Sequence, residues 1–282
     1  MKGKYPEQRK HQCGRRLFLV KGLTYLSGAL LGLNFFSNAA AGERHIFPTP
    51  QTHEQEPPLF ASSPRIAFII DDIGCSISRA REFLALKMPM TFSVLPQLQY
   101  SDVLAEEIYG QGHEVMLHQP MEPYGREIDP GPGALYISYR DREIEEIVER
   151  NLSQIPRATG VNNHMGSKFT SFPDKVAEAL KIIKQRDLFF VDSLTSINSQ
   201  AYKMARRLNM RTAPRNVFLD SPPDVRAVRR KLRYLKQYAL KHGAAIGIGH
   251  PYLSTLTALH DFKHNLNERW PSIELVSVSS LL

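Results

Sequence analysis

The sequence predicts an α/β protein, an irregular (β/α) barrel of seven or eight mostly parallel strands. Three observations lead there. From residue 65 onward eight short apolar runs alternate with seven amphipathic segments, the rhythm of parallel strands joined by helical crossovers. The first run, residues 66–70, is apolar at every position, as in a strand buried on both faces. Ligand-type and acid–base side chains collect at the C-terminal ends of five of the eight runs, the rim where α/β folds place their sites. An open doubly wound sheet is the other arrangement this alternation allows.

Two segments precede the barrel. Residues 1–41 have a basic region ending at Lys21, an apolar stretch over 23–36 and the small residues Ala39, Ala40 and Ala41. That is the layout of an export signal, and the apolar part is too short for the roughly 20 residues of a spanning helix. Arg15 and Arg16, followed by an apolar LFL, also resemble a twin-arginine signal. The expectation is a periplasmic or otherwise exported protein, meeting a membrane only through an uncleaved signal. Residues 42–64 hold five prolines and no apolar periodicity, so they read as a linker of low order. The folded domain then occupies residues 65–282.

Charge excludes one class of partner. The net charge is +8, but residues 1–41 hold seven Lys or Arg against one Glu, leaving 29 basic and 27 acidic residues elsewhere. The basic excess belongs mostly to the N-terminus, so phosphate-backbone binding has little support and no nucleic-acid partner is expected. Nothing in the sequence bears on the oligomeric state.

Taken in order, the first strand ends in Asp71, Asp72, Ile73 and Gly74. Neighbours on a strand point to opposite faces, so two adjacent carboxylates share a cleft only where the strand breaks. Gly74 suits such a break, and Cys75 after it reads as a small residue in the turn. The remaining strands are expected over 91–95, 114–117, 160–163, 188–191, 216–219, 244–248 and 273–278. Helices are expected over 77–86, 102–109, 142–155, 173–185, 199–208, 222–242 and 255–268. In the third helix Ile144, Ile147, Val148, Leu152 and Ile155 form one stripe. In the sixth, Ser221 is the expected N-cap, with Pro222 in the first turn and Asp224 three residues on. Its Val225, Val228, Leu232 and Leu235 face the core, and Arg226, Arg229, Arg230 and Lys231 face solvent. The loop over 119–139, with four prolines and three glycines, reads as a lid or rim.

The strand ends carry the chemistry. They bring Asp71 and Asp72, then His118 with Glu122 beyond it, Asn162, Asn163 and His164, then Asp192, and last His250 and Tyr252. One Asp with two His suits a divalent ion, zinc by donor type, because three ligands leave a position open for water. Such an ion lowers the pKa of its water toward neutrality and polarises a carbonyl. The assignment places Asp72, His118 and His164 on the ion, with Asp71 as base and His250 as acid. Glu122 is a further candidate ligand, although Pro120 between it and His118 argues against a helical pair. Glu122, Asn163, Asp192 and Tyr252 are the expected substrate contacts.

These residues resemble a family. Ile70-Asp71-Asp72 after a buried strand is similar to the first motif of the polysaccharide deacetylases. MTFSVL (90–95) looks like their second strand, GHEVMLH (112–118) like the approach to their metal histidine, and IGIGH (246–250) like their late catalytic histidine. With HQPME (118–122), NHMGS (163–167) and VDSLT (191–195), the domain resembles the divergent polysaccharide deacetylase family. The resemblance implies an irregular (β/α) barrel, a divalent-metal site and an acetylated poly- or oligosaccharide of the envelope as substrate. The chain departs from the main family in two places. Glu122 stands where a second metal histidine is found, and Asn163, His164 and Met165 stand near the place of an Arg-x-Pro-Tyr motif. The missing ligand is therefore supplied by His164 or by Glu122. A glycan-binding or scaffolding barrel without catalysis is the second reading. A Mg²⁺ phosphoacceptor site at Asp71 and Asp72 is a third, and both the export signal and the histidines count against it.

Overall fold

In the computed structural model, residues 63–269 and 272–282 are described. The expected export signal, and the linker up to residue 62, lie outside the described residues. Among the described residues no helix is long and apolar enough to cross a membrane.

Among the described residues nine strands pair in parallel, in the order β6-β5-β4-β3-β2-β1-β8-β7, with β9 added beside β1. They are β1 (Arg65–Ile73), β2 (Thr91–Val94), β3 (Glu114–Met121), β4 (Ala158–Met165), β5 (Phe189–Asp192), β6 (Thr212–Pro214), β7 (Val217–Phe218), β8 (Ala244–Gly249) and β9 (Glu274–Val276). The helices are α1 (Ile77–Leu84), α2 (Ser101–Gly110), α3 (Asp141–Gln154), α4 (Pro173–Gln185), α5 (Ala201–Arg207), α6 (Val225–His242) and α7 (Leu253–Arg269). The predicted α/β barrel is the fold observed.

Strict alternation fails once, and that failure forms the seam of the barrel. Strand β6 falls in an expected loop, and only Arg215 and Asn216 separate it from β7, with no helix between. The Arg215 amide donates to the Asp192 carbonyl on β5 at 2.9 Å, and the Asn216 amide to the Ile246 carbonyl on β8 at 3.0 Å. Consecutive residues thus bond to the two far ends of the sheet. The chain itself bridges the gap that no ladder closes.

Period-two alternation sorts the strand residues into two cores. Ile66, Phe68, Ile70, Phe92, Val94, Val115, Leu117, Val161 and Phe190 face outward into the layer under the helices. Ala67, Ile69, Met116, Phe189, Val191, Ile246 and Ile248 fill the barrel interior. Gly160 is bare because the Phe189 ring occupies the space its Cβ would take. One step beyond the inner set on each strand come Asp71, His118, Asn162 and His250. The interior core is therefore the floor of the site.

Two local expectations are corrected. Helix α6 begins at Val225, not Pro222, because Asp224 is the N-cap and its carboxylate accepts from the Ala227 amide at 2.9 Å. The last strand is only Glu274–Val276, and Val278–Leu281 turn as a short 3₁₀-helix whose Val278 plugs the barrel's lower end. The loop over 119–139 is ordered by a buried polar knot. Asn151 on α3 donates to Gln119 Oε1 (2.9 Å) and to the Gly133 carbonyl (2.8 Å), and accepts from Gln97 Nε2 (2.8 Å).

Candidate metal centre

The site is built at the C-terminal ends of β1, β3, β4 and β8. On β1, inward parity carries Asp71 into the barrel and would send Asp72 out toward the helices. The backbone prevents that: Asp72 has φ +57°, and the β1–β2 register shifts between Ile70 and Ile73. Asp tolerates this left-handed geometry better than most residues. The break falls at Asp72 itself rather than at Gly74, and it turns the second carboxylate onto the face of the first.

Register places the histidines. His118 pairs with Asn162 and Pro120 with His164 across β3 and β4, so the two rings lie one pleat apart on one face. Asp72 Oδ1 lies 3.0 Å from His164 Nδ1 and 3.2 Å from His118 Nε2, and these two nitrogens are 3.1 Å apart. The three atoms form a nearly equilateral triangle. Bonds of ~2.0–2.1 Å to a tetrahedral ion put neighbouring ligand atoms about 3.3 Å apart, close to these edges. Asp72 Oδ1 is buried and makes no well-aligned hydrogen bond, although the two imidazole nitrogens stand within 3.2 Å, so a cation among the three would satisfy it. Among the described residues these three are the group able to hold a metal ion. The donor set, two imidazoles and a carboxylate with a side left open, fits a hydrolytic divalent site.

Glu122 is not part of it. Its Oε1 accepts from Lys168 Nζ at 2.6 Å and its Oε2 from the Ile137 amide at 2.9 Å, so both oxygens serve the rim loop. It lines a neighbouring cleft of about 380 Å³ together with Tyr124, Arg126, Tyr136 and Lys168.

The two carboxylates have opposite electrostatics. Burial, opposed by His118, His250 and the Asn162 amide, leaves the Asp71 carboxyl above its ordinary range. Burial acts on Asp72 as well, but His164 and His250 outweigh it and hold that carboxyl well below. Groups whose environments drive their pKa values apart are suited to different roles. Asp71 is poised to take a proton and Asp72 to stay an anion.

His250 faces them from β8. Its Nδ1 donates to Asp220 Oδ1 at 2.9 Å, and its Nε2 is 3.8 Å from Asp72 Oδ2. The other Asp220 oxygen accepts from the His250 amide (2.5 Å) and from Thr255 Oγ1 (2.7 Å). Phe218 meets the ring edge-on and Tyr252 stacks on it, with centroids 5.3 and 5.5 Å away. Burial disfavours the imidazolium, yet Asp72, Asp220 and Asp71 override it and raise the pKa to about 9.

Of the expected substrate contacts, Tyr252 alone stands beside the triad, half exposed over His250. Asn163 and Asp192 have outward parity and are closed off. Asn163 donates to the Met165 carbonyl (2.8 Å) and accepts from the Ser193 amide (2.9 Å), fixing the bend that aims His164. Asp192 accepts from the Leu194 and Tyr202 amides and from Ser199 Oγ. Both hold the rim. Sequence reading named Asn162 at a strand end without giving it a role, and it missed Ser93 and Asp220. Counting by two from His164 singles out Asn162 over Asn163, and the same parity reaches Ser93; Asp220 directly follows the expected strand 216–219, so the strand-end rule, applied there, reaches it too.

The fold and the site together define a deacetylase-like (β/α) barrel. The chain belongs to the divergent polysaccharide deacetylase family, which it matches over residues 68–282. It is 32% identical over 228 residues to the uncharacterized protein YibQ of Escherichia coli K12, covering 79% of this chain and 70% of that one. Among solved structures it is similar to an uncharacterized Agrobacterium tumefaciens protein, with TM-score 0.75, 24% identity and 79% and 90% coverage. A CE4-family pseudoenzyme from Bacillus anthracis shares the fold at TM-score 0.50 and 14% identity, covering 80% of this chain and 66% of that one.

Proposed function

We propose that the protein is a metal-dependent hydrolase that removes acetyl groups from an envelope polysaccharide. The observation that carries this reading is the 3.0–3.2 Å triangle of Asp72 Oδ1, His118 Nε2 and His164 Nδ1, flanked by Asp71 and His250. A divalent ion held there, zinc by the donor set, supplies Lewis acidity to the carbonyl and a more acidic water.

The chain's own groups do the rest. Asp71 Oδ1 is engaged by Asn162, which leaves Oδ2 to accept the proton of the attacking water. The water oxygen adds to the acetyl carbonyl carbon. As the bond from that carbon to the sugar nitrogen or oxygen breaks, His250 Nε2 delivers its proton to the leaving atom. Acetate and a free amine or alcohol depart. Tyr252 offers its ring to the sugar at the mouth of the site. The cleft with Glu122, Tyr124 and Tyr136 is suited to a neighbouring residue of the glycan.

The envelope setting rests on the export pattern of residues 1–41. N-terminal sequencing of the protein recovered outside the cytoplasm should read from near Gly42, whereas a full-length cytoplasmic product contradicts the assignment. Activity is tested by acetate release from a panel of N- and O-acetylated glycans after loading with Zn²⁺. Acetate that disappears on chelation and returns with metal supports the enzyme. The second reading, a glycan-binding barrel without catalysis, is supported by fold kinship with a pseudoenzyme. Metal and glycan binding with no acetate from any substrate would establish it.

A further inference from the structure

The side chain of Asn162 lies fully buried between the two halves of the site. Its Nδ2 is 2.8 Å from Asp71 Oδ1, and its Oδ1 is 2.7 Å from His118 Nδ1 and 2.5 Å from Ser93 Oγ. An amide can be flipped, but here its neighbours decide the orientation. The Asp71 carboxylate offers only acceptors, so the amide NH₂ must face it. The amide oxygen then faces His118, whose Nδ1 must carry the proton. In a neutral imidazole that leaves the lone pair on Nε2, the atom that lies in the triangle with Asp72 and His164. Ser93 Oγ–H donates to the same amide oxygen and pins it from behind.

We infer that Asn162 is a positioning residue with two separable arms: its oxygen fixes the His118 tautomer for a metal ion, and its NH₂ holds Asp71 in place as the base. The inference rests on the metal-site reading above. It goes beyond that reading by joining base and ligand through one side chain. Groups that orient a metal-bound histidine from behind typically matter 10–100-fold in metal affinity.

Two substitutions separate the arms. Asn162→Asp keeps an acceptor for His118 and Ser93 but turns a second carboxylate on Asp71. It should bind Zn²⁺ by calorimetry at least as tightly as the parent, lose about 10²-fold or more in turnover, and show Asp71 rotated away in its crystal structure. Asn162→Ala removes both arms and should weaken Zn²⁺ about 10–100-fold. Because Asn162→Ala could fail to fold, the zinc-loaded parent provides a second test: its ¹H–¹⁵N spectrum should show His118 protonated on Nδ1.

Parent-like zinc affinity in a folded Asn162→Ala, or an Nε2-protonated His118, overturns the oxygen arm. An unmoved Asp71 in Asn162→Asp overturns the NH₂ arm. A parent that binds zinc and releases no acetate defeats the deacetylase reading alone, because affinity, tautomer and the Asp71 rotamer still decide this inference. A parent that binds no zinc defeats both.

Discussion

His250 and Asp71 are one barrel-width apart in sequence terms, on β8 and β1, yet the ladder makes those strands neighbours, with Ile70 opposite Gly249. In the proposed mechanism the two work in opposite protonation states, His250 as acid and Asp71 as base. His250 is held charged by three carboxylates and anchored through Asp220, while Asp71 is the carboxylate whose burial makes it the better proton acceptor. Replacing His250 with Ala should lower turnover roughly 10²–10⁴-fold, the usual worth of a general acid, without releasing the metal. A variant that is folded, metal-loaded and as fast as the parent would remove His250 from the mechanism. Asp220 sharpens this through pH. A general acid works while protonated, so the rate falls as pH rises past the His250 pKa. Asp220 raises that pKa, so Asp220→Asn should move the alkaline limb of the pH–rate profile to lower pH. An unmoved limb would mean that a different group donates the proton.

Strand parity explains both what was legible in the sequence and what was not. The buried run 66–70 and the histidine at the end of β3 are visible as pattern, because period two and apolar content are local properties. The same rule, carried two residues back from His164, reaches Asn162 rather than Asn163. The turning of Asp72 was legible only in part: adjacent carboxylates imply a broken strand, but which residue takes the positive φ depends on register against β2. Glu122 and His164 could not be separated by spacing, since the choice follows from Lys168 and Ile137, distant in sequence, engaging Glu122. Asp220 follows the expected strand 216–219 and so was open to the same strand-end rule, but its bond to His250 joins residues 30 apart and only the β7–β8 pairing shows it. Interior packing gives its own test. Gly160 lies under the Phe189 ring, and a Cβ there would displace the ring within the layer that supports His118 and Asn162. Gly160→Ala should destabilise the domain by about 1–3 kcal/mol, the cost of overpacking, seen as a lower midpoint in denaturant. A parent-like midpoint would show that the interior is looser than its burial implies.

The assembled barrel carries 28 basic against 24 acidic residues, is closed at its lower end by Val278 and is open at the rim where every proposed reacting group stands. The site stands in residues 65–282, and the strongly basic residues 1–41 are the segment to which we assign the export address as a proposal. This division predicts that residues 65–282 retain whatever metal the full chain binds. The most direct measurement is metal content. Elemental analysis after equilibration with Zn²⁺ and dialysis should give one ion per chain for the parent and for Glu122→Gln, and a large loss for His164→Ala. A parent without metal, or a His164→Ala that keeps its ion while Glu122→Gln loses it, would contradict the site described.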